Sequence, residues 1–90
     1  VIIDESLEPV YGCVQGGHAV AQYLLENPDS KWRNNYLIYL KDNLERLVVK
    51  LRMRGIEYTE FREPDLDGKM TAIAVLDNRK VFQRLKLMGR

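Results

Sequence analysis

Apolar and polar positions alternate along the chain in blocks that change period. Val1-Ile2-Ile3 is a short β-branched run, read as the end of a strand, and the acidic segment DESLE follows it. From Pro9 to Glu26 the residues Val10, Val14, Ala21 and Leu25 recur at near-helical spacing, with Gly17 and His18 between them. Pro9 suits the first turn of a helix, and Pro28 disfavours helix at Asn27, so NPDS ends it. Tyr36-Leu37-Ile38-Tyr39-Leu40 is a continuous apolar run, the pattern of a strand covered on both faces. Asp42 then opens a helix, three residues before Glu45 in a capping-box-like arrangement, with Leu44, Leu47, Val48 and Leu51 as its apolar stripe. Gly55 is the expected stop, a residue able to take the left-handed conformation. Ile56 to Phe61 alternates as a half-wet strand, REPDLDGK is a loop, and Met70 to Leu76 is a second nearly continuous apolar strand. Asp77-Asn78 can cap a last helix whose Val81, Phe82, Leu85 and Met88 share a face.

The predicted order is therefore β-α-β-α-β-β-α. The last two strands are joined by a loop too short for a crossover helix, so the sheet is mixed. The expected fold is a single α/β domain over residues 1–90, three-layered, with a mixed four-stranded sheet and helices packed on it. Composition agrees: the 90 residues are 46% hydrophobic and 30% charged, a globular balance without low-complexity linkers or internal repeats. No apolar run approaches the roughly 18 residues needed to span a bilayer, and no basic-then-apolar leader opens the chain. Cys13 is the one cysteine, which rules out an internal disulfide and fits a reducing cytoplasm, the expected location. The formal net charge of +1 gives no whole-molecule field toward nucleic acid, so any such binding needs a local patch.

Candidate chemistry concentrates in YGCVQGGHA, residues 11–19, which holds three glycines, the one cysteine and the one histidine. A phosphate loop would add a Lys and a Ser or Thr at fixed spacing, and neither is present. Cys13 and His18 are five residues apart, so on a helix they point about 140° apart, poorly placed for a thiol–imidazole pair. The third reading is a helix whose small residues let its backbone approach a sheet or another chain. Each helical glycine costs roughly 0.8–1 kcal/mol against alanine, and close packing is the commonest compensation. His18 would then be a half-buried histidine bonded to a carbonyl, or a functional group. Glu63, Asp65 and Asp67 alternate in the acidic loop, where they could hold a hard cation, supply a general base, or simply solvate a turn at Gly68. Basic residues recur as Arg46, Lys50 and Arg54 on the second helix, and as Arg79, Lys80, Arg84, Lys86 and Arg90 near the end. On one side of the molecule they would form a phosphate footprint, with Tyr11 and Trp32 as stacking aromatics.

The element order and several local strings resemble the type 2 peptidyl-tRNA hydrolase superfamily. Val1-Ile2-Ile3-Asp4 is similar to that family's first strand and its aspartate, and Gln15-Gly16-Gly17-His18-Ala19 to its Gln-Cys-x-His-Ala helix string. YLIYLKDNLERLVVKLRMRGIEYTEF is similar to its central strand, helix and Gly-then-strand block, and MTAIAVL to its closing strand. The resemblance covers essentially the whole chain. It implies hydrolysis of the ester between a peptide and its tRNA, without an obligatory metal or other cofactor. It also implies a lysine on the first helix turn and an aspartate and threonine in the loop between the last two strands. Here the lysine position falls on Tyr11, the aspartate position on Glu63, and the threonine position on or near Asp67.

Two functional expectations follow. In the first, His18 with Glu63, Asp65 and Asp67 carries ester hydrolysis, and Tyr11, Gln15, Gly16, Gly17 and Asp4 contact substrate. In the second, the same scaffold is a non-catalytic module binding tRNA or a protein, and the glycine-rich helix serves a homodimer. No metal is assigned.

Overall fold

The computed structural model describes residues 1–76, 82 and 85–87. Strand β1 is Ile2–Asp4, helix α1 Pro9–Glu26, β2 Leu40–Asp42, α2 Leu44–Met53, β3 Thr59–Glu63 and β4 Lys69–Ala74, with a single 3₁₀ turn at Pro64–Leu66. Lys86–Leu87 adds a two-residue strand, β5. The sheet order is β3-β4-β1-β2-β5; β1 and β2 are parallel and the other neighbours antiparallel. The four expected strands form the mixed sheet, and β5 extends its edge.

Helices α1 and α2 cover opposite faces. Neighbouring residues of β1 point to opposite sides of the pleat. Ile2 thus joins Leu44, Leu47, Val48, Leu51 and Ile73 beneath α2, while Ile3 joins Ala19, Ala72 and Ala74 beneath α1. The α2 side is filled by large aliphatic side chains. The α1 side is filled by small ones, so α1 approaches the sheet closely: an added Cβ at Gly16 would stand 2.6 Å from the Tyr39 ring and 2.8 Å from Ile3 Cδ1.

Helix ends follow local chemistry. Glu8 caps α1, Oε1 accepting from the Val10 amide at 2.9 Å and Oε2 from the Tyr11 amide at 3.0 Å. These donors hold the Glu8 carboxyl below its ordinary 4.5. The cap of α2 is Asn43, whose Oδ1 accepts from Arg46 N at 3.1 Å. Asp42, the predicted cap, instead ends β2 and lies 3.8 Å from the Arg46 guanidinium. Gly55 stops α2 at φ +66°, as its sequence position implies.

Three boundaries differ from the sequence pattern. Tyr36, Leu37 and Ile38 are exposed, Tyr36 at 75%, and only Leu40 onward enters β2. The apolar run is therefore not a strand covered on both faces. β3 lies at Thr59–Glu63 rather than at Ile56–Phe61, and β4 at Lys69–Ala74 rather than at Met70–Leu76. In both cases pairing across the short Pro64–Gly68 connection sets the register. The predicted last helix lies largely outside the described residues; within them Phe82 is helical, and Phe82 and Leu85 pack on the α2-side core.

The two adjacent glycines of α1 separate cleanly. Gly16→Ala should lower stability by about 1–3 kcal/mol, because Ile3 and Tyr39 must move. Gly17→Ala, where the new methyl meets open space, should raise it by roughly 0.8–1 kcal/mol. Urea unfolding midpoints of the two variants check both signs. A depressed carboxyl pKa stabilises the fold above its unfolded value and stops doing so as pH falls through the folded one. The stability difference between wild type and Glu8→Gln should therefore be full at neutral pH and shrink as pH drops below the ordinary 4.5, as thermal melts across an acid series would show.

Candidate active site

A β-bulge builds the centre of the site. Phe61 pairs with Ala72, but Arg62 pairs with Met70, leaving Thr71 as an extra residue on β4. Simple alternation would turn Thr71 to the α2 face with Ile73. The bulge instead aims it at α1, where its hydroxyl donates to Gln15 Oε1 in a fully buried hydrogen bond. With its carbonyl occupied, the Gln15 amide turns its Nε2 to Glu63 and donates to Oε1 at 3.2 Å.

Further contacts between α1 and β3 repeat this geometry. Residues 11, 15 and 18 occupy successive turns on one side of α1. Phe61 and Glu63 share the α1 face of β3, two residues apart. His18 stacks on Phe61 with ring centroids 4.6 Å apart and planes 14° from parallel. Tyr11 stands at the Glu63 end: partial burial first, then the carboxylates of Glu63 and Asp65, push its hydroxyl above the usual 10.0. It is a neutral phenol at physiological pH. Read along the helix, the order is Tyr11 by Glu63 and Asp65, Gln15 on Glu63, and His18 on Phe61.

The predicted site residues divide accordingly. Gln15, Glu63 and Tyr11 come together, with Asp65 at the edge and His18 one turn further along α1 on Phe61. His18 is exposed on an aromatic ring rather than half-buried against a carbonyl. Asp67 is exposed and occupies a left-handed turn position at φ 54°, followed by Gly68 at φ +78°. Its part in the structure is to reverse the chain into β4. Thr71, which the sequence pattern hides, is the threonine beside Gln15. Gly16 is covered by Tyr39 and Ile3, and Gly17 faces outward with nothing near its Cα hydrogen. Neither sits among the clustered side chains. The Asp4 carboxylate is engaged elsewhere, accepting from the Leu44 amide at 3.2 Å and from Ser6, with Lys69 Nζ at 3.8 Å. It ties the end of β1 to the start of α2.

The cation and aromatic expectations are likewise redistributed. Among the described residues no group of three or more His, Cys, Asp and Glu side chains could hold a metal ion, so Glu63, Asp65 and Asp67 form no cation cage. Arg46 and Lys50 on α2 and Arg54 just after it are exposed, across the sheet from Gln15 and His18. The side chains of Arg79, Lys80, Arg84, Lys86 and Arg90 lie outside the described residues. Trp32 donates to the Tyr36 carbonyl at 2.9 Å within the connection between α1 and β2. An open cleft of about 1170 Å³ at the other end of α1, lined in part by Tyr23, Ser30, Arg54 and Tyr58, contains none of the clustered residues. No described helix is long and apolar enough to cross a membrane.

Removing the Gln15 amide while keeping its volume, as in Gln15→Leu, leaves the buried Thr71 hydroxyl without its acceptor and Glu63 without a donor. This should cost about 1–3 kcal/mol. Adding Thr71→Val should recover part of that loss, because one stranded group is then gone. A double-mutant cycle by denaturant unfolding would register this as a coupling of roughly 0.5–3 kcal/mol. Strict additivity would show that the two side chains do not depend on each other.

Comparison of the chain with protein-family models, with curated proteins and with solved structures finds no match in any of the three.

Proposed function

We propose that the protein is a hydrolase that cleaves the ester between a peptide and tRNA. The observation that carries this reading is the Gln15–Glu63 hydrogen bond at 3.2 Å. It joins the helix string of the resemblance to the residue at the resemblance's carboxylate position, across 48 residues of chain. His18, one helical turn beyond Gln15 and supported by Phe61, completes a set of groups suited to acyl transfer to water.

In this mechanism Glu63 takes a proton from water as the water oxygen attacks the ester carbonyl carbon. Gln15 holds the carboxylate in place through Nε2, and Thr71 fixes which end of that amide faces Glu63. The carbon–oxygen bond to the ribose then breaks. The exposed imidazole of His18 delivers a proton to the leaving oxygen and regains one through solvent. Tyr11, a neutral phenol, donates a hydrogen bond at the Glu63 end of the site, where a lysine would have offered a charge. The products are a free peptide carboxylate and a tRNA with its terminal hydroxyl restored.

Incubation with peptidyl-tRNA tests the proposal. Wild type should release peptide, and His18→Ala and Glu63→Gln should each slow release by about 10²–10⁴-fold. No release by wild type, or full activity in both variants, overturns it. A second reading, binding without turnover, is favoured by Tyr11 standing where a lysine is implied. Under it wild type retains tRNA without cleaving it, and binding falls by about 0.7–0.9 log units per phosphate contact for each tenfold rise in salt.

A further inference from the structure

Helix α1 ends on the open cleft of about 1170 Å³, at the end of the helix away from Tyr11. Both walls of this cleft are held in place. On one side the Asn27 amide and its Nδ2 each donate to the Tyr23 carbonyl at 2.9 Å, and the Ser30 amide donates to the Asn27 carbonyl at 3.0 Å. The Tyr23 and Ser30 hydroxyls share a hydrogen bond at 2.6 Å. On the other side the chain leaves α2 through Gly55, and the Ile56 amide donates to the Leu51 carbonyl at 3.0 Å. Thr59 lies between the walls, on the α1 face of β3 two residues before Phe61. It is 4% exposed, and among the described residues its hydroxyl has no hydrogen-bond partner. Glu60 Oε2 is the unpartnered side-chain oxygen sealed from solvent among those residues; the Thr59 hydroxyl is not sealed, and it opens into the cleft that Thr59 lines. A side chain buried this deeply ordinarily has its polar atom satisfied.

The charge of the cleft selects the sign of a ligand. Glu26, Asp29 and Glu57 line it against Arg54, in a chain whose formal net charge is +1. None of these three carboxylates has an ion-pair partner among the described residues. Glu26 accepts from the neutral Gln22 amide at 2.6 Å. The last turn of α1 holds no basic residue, so the negative end of the helix dipole adds to the same sign. The carboxylates are nonetheless dispersed: among the described residues no group of three or more His, Cys, Asp and Glu side chains could hold a metal ion. Negative charge is spread along the cleft rather than focused on one point.

We propose that this cleft binds a linear aliphatic polyamine. Dispersed carboxylates match ammonium groups spaced along a flexible chain, where a compact metal ion would meet one carboxylate at a time. Each terminal ammonium carries three N–H donors, one of which the Thr59 hydroxyl oxygen accepts on the floor of the cleft. The methylene segments between the charges lie against the apolar lining, to which Pro28, Ile56 and Leu76 contribute. Because both walls are already held by hydrogen bonds, little of the protein has to be ordered on binding. The cleft contains none of Tyr11, Gln15, His18 and Glu63, so the proposal does not depend on the reaction assigned above.

Isothermal titration of the whole chain with spermidine tests it. The expected result is one spermidine per chain, with a dissociation constant between about 10 µM and about 1 mM. Butylamine, with a single ammonium, should bind about fivefold or more weakly, and Mg²⁺ at the same concentration should not displace spermidine. Glu57→Lys, at an exposed position, should weaken binding by about tenfold or more. Thr59→Val, which keeps the shape and removes the oxygen, should weaken it by about 2–10-fold. Circular dichroism and thermal melts establish that both variants are folded. Glu5→Lys makes the same charge change in the exposed turn at the other end of α1, several times the Debye length of about 8 Å at physiological salt from the cleft's contacts, and should leave binding unchanged. No binding up to about 10 mM spermidine overturns the proposal. So does displacement by an equal concentration of Mg²⁺, an affinity that either Glu57→Lys or Thr59→Val leaves unchanged, or one that Glu5→Lys lowers as much as Glu57→Lys.

Discussion

A buried amide must have both of its ends satisfied, and Gln15 meets that requirement with two partners from two strands. Thr71 on β4 takes its carbonyl and Glu63 on β3 takes its nitrogen. Each unsatisfied end would cost about 1–3 kcal/mol, enough to decide how α1 is rotated about its own axis. Gly16, beside it, permits the close approach that puts the amide within reach. Once that rotation is set, the rest of the helix has no freedom. His18 falls over Phe61, Tyr11 falls near Glu63 and Asp65, and the apolar arc from Val10 to Leu25 faces outward.

The sheet takes unequal loads on its two faces. Leu44, Leu47, Val48 and Leu51 of α2 bury large aliphatic area against Ile2 and Ile73. At about 25 cal/mol per Å² this side supplies most of the hydrophobic stabilisation. The α1 side gives up bulk for proximity, with Ala19, Ala72 and Ala74 where larger residues would hold the helix away. A thin interface of that kind gains less from burial, and the polar links among Gln15, Thr71 and Glu63 make the placement specific. Stability and site geometry are thus divided between the two faces of one sheet.

Much of this was legible in the chain. The apolar stripe of α2, the Gly55 stop and the element order through the fourth strand rest on periodicity and on single-residue conformational preference, and the structure keeps them. Gln15, His18 and Glu63 could be selected as neighbours only through a resemblance, because they meet across long separations. Thr71 was hidden because strand alternation assigns it to the other face, and a bulge leaves no mark in the pattern of apolar and polar residues. Tyr36 to Ile38 misled for the opposite reason. An apolar run reports only that a segment avoids charge, not that it is buried. Asn43 rather than Asp42 caps α2 because Asp42 is needed one residue longer in the parallel ladder with Asp4.

The charge around Glu63 constrains how a tRNA ester could reach it. Glu63 and Asp65 are both acidic, and Tyr11 adds no compensating cation. Of the nearby described cations, Lys69 is held by Ser6 and Asp4, and Arg62 by Glu60 and the Gly68 carbonyl. A phosphate brought close to this pair of carboxylates would be repelled, and repulsion between exposed charges fades over a Debye length of about 8–10 Å at physiological salt. The ester of a peptidyl-tRNA satisfies that limit only at its reacting end, where the peptide and terminal ribose carry the acyl linkage and the nearest phosphodiester lies to one side. Cations that grip the nucleic acid must then stand away from the carboxylates. Under the proposed function, the exposed imidazole of His18, stacked on Phe61, is the group left to meet the ribose. On that reading, this charge distribution would favour the neutral end of a polyanion, the end that carries the ester.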